Sequence, residues 1–72
     1  MDDLSIKIGR RLAYLRKAKG VNQTKVARNI GLAPSVVNRW EKGTFCPSAF
    51  YLCKLADFYG CTTDEILGRT TT

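Results

Sequence analysis

Seventy-two residues with 44% hydrophobic side chains and a net charge of +6 describe one small packed domain, spanning residues 1–72, and not a disordered segment. No apolar run reaches the length of a membrane span, and the acidic start Met1-Asp2-Asp3 is unlike the basic start of a signal peptide, so a cytoplasmic protein is expected. Histidine is absent, Glu41 is the one acid between Asp3 and Asp57, and no glycine-rich phosphate loop occurs; with no acid–base pair to nominate, an enzyme is not expected.

Apolar residues recur at helical spacing between glycines, with no strand alternation. Ile8, Leu12 and Leu15 fall at i, i+4 and i+7 and predict a first helix from about Leu4 to Lys19, with Asp3 as its cap and Gly20 as its end. Asn22 is an N-cap for a second helix, about Gln23 to Ile30, whose Val26, Ala27 and Ile30 face inward before Gly31 stops it. A third helix begins at Pro34, where a missing N–H does no harm, turns Val37 and Trp40 inward and closes on Gly43.

After a loop through Thr44, Phe45, Cys46 and Pro47, a fourth helix from about Ser48 to Tyr59 carries Leu52, Leu55, Ala56 and Tyr59 on one side. Thr62-Thr63-Asp64-Glu65 reads as a capping box for a short fifth helix ending near Leu67. Thr70-Thr71-Thr72 is expected to be a flexible tail. The fold class is therefore all-α, with five short helices. The odd set Cys46, Cys53 and Cys61 cannot close on itself in disulfides, and its spacings of seven and eight fit no usual zinc pattern. Reduced thiols packing as small hydrophobes are expected, with no metal and no cofactor.

Charge is unevenly placed. Nine cations and no acid lie between Leu4 and Trp40, whereas residues 41–72 hold four acids and three bases. A basic half of this kind predicts a polyanionic partner. Within it, a window from Gln23 to Lys42 has apolar residues at its positions 4, 8, 10, 15 and 18 (Val26, Ile30, Leu32, Val37 and Trp40), a small Ala27 at position 5 and Gly31 at position 9. Two helices crossing through a tight turn need a small side chain where they approach and a residue that tolerates positive φ in the turn. The pattern predicts a helix-turn-helix over residues 23–42.

These features, with Leu15-Arg16, Gly20-Val21-Asn22-Gln23, Asn38-Arg39-Trp40-Glu41-Lys42-Gly43, Pro47-Ser48, Leu55-Ala56 and Asp64-Glu65-Ile66-Leu67, make the chain from Arg11 to Gly68 resemble the Cro/repressor-type (xenobiotic-response-element type) helix-turn-helix family. The resemblance implies a five-helix, lambda-repressor-like domain that binds double-stranded operator DNA as a transcriptional regulator, more often a repressor than an activator. It implies that Gln23 touches a phosphate and that the third helix enters the major groove. Pro34, Ser35, Asn38 and Arg39 are then the base-reading positions: proline can touch a thymine methyl, asparagine can pair with adenine and arginine with guanine. Arg10, Arg11, Lys42 and Thr44 are further phosphate candidates. The resemblance also implies a pairing of Arg16 with Glu41, expected as a largely buried structural ion pair.

One recognition helix reads few base pairs, so a homodimer on an inverted repeat is expected, joined through the fourth and fifth helices. Two departures from the family stand out: Ala33 lacks a capping side chain, and Phe50 and Tyr51 replace polar residues, where a patch for a protein partner or a second copy is expected. Two other functions fit parts of the chain. The six cations of the first helix suit a membrane-surface segment, but its apolar stripe is narrow and a membrane is not expected as partner. An antitoxin or other interaction module of the same fold is the alternative.

Overall fold

A computed structural model describes residues 3–69. It contains five helices: α1 (Asp3–Lys19), α2 (Gln23–Ile30), α3 (Pro34–Lys42), α4 (Ala49–Tyr59) and α5 (Thr63–Leu67). Local chemistry sets most boundaries. The side chain of Asn22 accepts from Lys25 N at 2.8 Å, and Ser48 and Thr62 cap α4 and α5 through their hydroxyls. Ala33 caps α3 without a side-chain bond, and Pro34 occupies the first turn, where its lack of an N–H leaves nothing unsatisfied. Asp3 lies inside the first turn of α1 and is not its cap; an acid there still favours the positive helix terminus. The tail at residues 70–72 lies outside the described residues.

Each helix contributes to one core. Ile8 and Leu12 come from α1, Val26, Ala27 and Ile30 from α2, Val37 and Trp40 from α3, Leu55 and Ala56 from α4, and Ile66 from α5. α1 packs most extensively on α3, α2 packs on α3 and α4, and α5 packs against α1 and α4. The close approach of α1 to α3 depends on Gly9, which is buried. A Cβ there would overlap the Trp40 carbonyl oxygen and lie 2.8 Å from that of Glu41. Gly43 serves the same junction from the other helix. It has φ +81°, and a Cβ would sit 3.0 Å from Ile6 Cα. A hydrogen-bonded contact of 2.9 Å between Ser5 Oγ and Cys46 Sγ links α1 to the loop after α3.

Two further expectations need correction. Tyr51 is not a surface aromatic: it is half-buried, its ring centroid 5.8 Å from that of Trp40, because its position on α4 turns it toward the core. Phe50, one position earlier, is 61% exposed. Cys46 and Cys53 are exposed, and Cys61 alone is half-buried, since Cys46 sits in a surface loop and Cys53 is turned away from the core-facing Leu52, Leu55 and Ala56. Among the described residues, no helix is long and apolar enough to cross a membrane.

Candidate nucleic-acid interface

α3 divides cleanly. Val37 and Trp40 are buried, Pro34, Ser35 and Arg39 are exposed, and Asn38 lies half-buried between the two sets. The inward pair seats the helix on α1 and α2, which leaves its outer face standing clear of the body. Arg39 does not project alone: its guanidinium lies over the Phe45 ring, 5.8 Å from the centroid, a cation–π contact that narrows the arginine's range. The signal for it was an aromatic residue in the loop just after an arginine-bearing helix, and spacing alone does not reveal such a contact. Lys42 ends α3 in an exposed position, and Thr44 follows it, its N–H donating to Arg39 O at 3.0 Å.

Beneath this face runs a polar chain through three helices. Arg16 grips Glu41 with two bonds, Nε to Oε2 at 2.7 Å and Nη2 to Oε1 at 3.1 Å, and its Nη1 donates to Val21 O at 3.1 Å. The side chains are 15% and 6% exposed, so the pair sits largely inside the protein. The hydrogen bond to Glu41 raises the Arg16 pKa further above its ordinary value, and burial opposes this only in part. Gln23, at the start of α2, donates from Nε2 both to Glu41 Oε1 at 3.1 Å and to Asn38 Oδ1 at 3.2 Å. Tyr59 at the end of α4 lies close enough to feel the carboxylate: burial first, then Glu41, pushes its phenol well above the usual range.

Thus Arg16, Gln23, Asn38 and Glu41 form one connected group, although sequence reasoning placed them in three separate roles. Arg10 and Arg11 stand elsewhere. They line a groove between α1 and α5 with Tyr14, Leu15 and Glu65, and Arg11 Nε donates to Glu65 O at 2.6 Å, a cation on the carbonyl end of a helix. Gly9, Phe45 and Tyr59 went unremarked as parts of the interface. Only Gly9 left a direct trace, as a glycine within an otherwise good helix, where it costs about 1 kcal/mol relative to alanine unless packing needs it.

The family model described as helix-turn-helix matches residues 12–66. Over 67 residues the chain is 36% identical to the cryptic phage CTXphi transcriptional repressor RstR of Vibrio cholerae, covering 93% of this chain and 60% of that protein. It is 41% identical over 59 residues to the HTH-type transcriptional regulator AnsR of Bacillus subtilis, covering 82% of this chain and 51% of the relative. The chain therefore spans between half and two-thirds of the length of these two relatives. In structure it is similar to the restriction-modification controller protein C.AhdI from Aeromonas hydrophila, with a TM-score of 0.81, 35% identity, and coverage of 86% of this chain and 94% of that one.

Proposed function

Because this chain belongs to the helix-turn-helix family, we propose that it binds a specific sequence of double-stranded DNA, with α3 in the major groove, and regulates transcription, most simply as a repressor. One observation carries the proposal: α3 buries Val37 and Trp40 while presenting Ser35, Asn38 and Arg39 along its outer side, in the half of the chain that holds nine cations. A helix held this way fits the major groove, whose base edges offer each of these side chains a distinct set of partners.

Pro34, Ser35, Asn38 and Arg39 are assigned to base edges. Lys42 at the end of α3, Thr44 just beyond it, Gln23 through its free backbone N–H at the start of α2, and Arg10 and Arg11 in the groove toward α5 are assigned to backbone phosphates. In this reading the chain is a single cytoplasmic binding domain with no catalytic role. It engages its site as a homodimer, because two recognition helices about 34 Å apart match one DNA turn and double the base pairs read. Of Phe50 and Tyr51, Phe50, with Lys54 Nζ 5.1 Å from its ring centroid, is the one that faces outward for a protein partner.

Selection from random duplexes tests this. The expected product is a short inverted repeat, bound far more tightly than scrambled DNA of the same length. Recovery of unrelated sequences with equal affinity would overturn the reading.

A further inference from the structure

Phe45 stands in the loop after α3 and is 54% exposed, yet the chain on either side of it is tied down. Before it, the Thr44 N–H donates to Arg39 O at 3.0 Å and closes the end of α3 over Gly43, which lies against Ile6 of α1 at φ +81°. After it, Cys46 Sγ lies 2.9 Å from Oγ of the buried Ser5, and Pro47 is itself buried. The ring therefore meets the Arg39 guanidinium, 5.8 Å from its centroid, from a settled position and not from a loose loop. The turn at Gly43 is what folds Phe45 back toward an arginine six positions earlier.

We propose that Phe45 is a positioning residue for base recognition: its ring holds the Arg39 guanidinium ready for guanine and so sharpens the discrimination that Arg39 makes. This rests on the DNA-binding reading above, with Arg39 on a base edge. An aromatic face attracts a cation but offers no lone pair, so the N–H donors of the guanidinium remain for the two acceptors of guanine, N7 and O6. An arginine moving freely in water gives up its rotamers to make those two bonds, a cost that falls at the moment of binding. Against Phe45, part of that ordering has taken place on folding. The benefit appears only where both bonds form. Adenine, cytosine and thymine do not present the paired acceptors, and an ordered guanidinium gains little from them. The ring thus separates the right base from the wrong ones without needing to touch either.

Binding to a duplex obtained by random selection tests the proposal. Arg39→Ala first identifies the base pair that Arg39 reads, as the position where the ranking of base variants changes. Dissociation constants are then measured on the four duplexes that differ at that pair in both half-sites. The proteins compared are wild type, Phe45→Leu, Phe45→Trp and a chain carrying trifluorophenylalanine at position 45. The fluorinated ring keeps the shape of phenylalanine and loses the negative face that draws the cation. Wild type is expected to favour guanine. Phe45→Leu and the fluorinated ring should each reduce that preference by about two- to fivefold per half-site, the scale of an exposed cation–π contact. Phe45→Trp, with the stronger face, should keep or raise it. Preferences at the other pairs should stay as in wild type, which also shows that each variant is folded. A wild-type preference for another base, an unchanged or increased preference in Phe45→Leu, or an equal weakening of all four duplexes would overturn the proposal. So would a fluorinated chain that binds as wild type does, or an Arg39→Ala variant with no change in any ranking. Absence of base preference at every pair in wild type would instead overturn the DNA-binding reading itself.

Discussion

Glu41 brings a negative charge into the basic half of the chain, on the helix proposed to approach phosphates, and its surroundings neutralise it. With Arg16 on both oxygens, Gln23 on one of them, and 6% exposure, it has been exchanged from water to protein partners. Removing one side of such a pair strands the other, typically at a cost of about 3–5 kcal/mol, whereas an exposed pair is worth about 0–1 kcal/mol. Denaturant melts of Glu41→Ala and Arg16→Met should each show a loss above about 2 kcal/mol, and the double mutant a loss well short of the sum. Small additive losses would mean that α1 is anchored by its apolar contacts alone. On the exposed face of the same helix, Arg39→Ala should weaken DNA binding by about 1–3 kcal/mol and relax preference at one base pair, while stability in melts stays near wild type. Unchanged ranking of base variants by Arg39→Ala would remove it from base reading. The pairing of Arg16 with Glu41 was legible in the sequence through family resemblance. The bond from Gln23 to Asn38 was not, because the chain between them, a separation of fifteen positions, passes through a turn whose crossing geometry decides whether the two amides meet.

Between elements, the critical contact is the one that brings α1 against the end of α3. Gly9 sits inside a seventeen-residue helix, where alanine is ordinarily better by about 1 kcal/mol. Here the added methyl would meet backbone carbonyls of Trp40 and Glu41, which cannot rotate away as a side chain can. Gly9→Ala is therefore expected to destabilise, by about 1–3 kcal/mol, the usual range for overpacking. Thermal or denaturant unfolding gives the sign directly, and a stabilised variant would show that the two helices can separate without loss. The helices themselves were readable one at a time, since Asn22, Pro34, Ser48 and Thr62 act within a turn of their own position. Tyr51 and Cys53 were not, because which side of α4 is inward depends on where Trp40 and Leu55 lie, and a largely apolar helix has no clear polar face to announce it.

For the molecule as a whole, the proposed interface gathers charge from several helices, and its strength should follow the release of counterions from DNA. If two subunits together neutralise about six phosphates, the logarithm of the binding constant should fall against the logarithm of salt concentration with a slope of about −5. Titrations of a selected duplex at several salt concentrations measure it. A slope flatter than about −2 would mean that the basic half does not lie against the backbone.

Helix number, helix ends, the inward positions of α2 and α3 and the basic character of the N-terminal half were determined by the sequence itself, because caps, glycine turns, periodicity and charge act locally or simply add. Only the tertiary structure decided the rest. It placed Gly9 beneath Trp40, laid Arg39 over Phe45, turned Arg11 to the end of α5, and joined Arg16, Glu41, Gln23 and Asn38 into one directional chain. Each of these is a contact between residues that share no turn of helix. Their distances are set by how three or more helices share one core, a property that no local pattern carries.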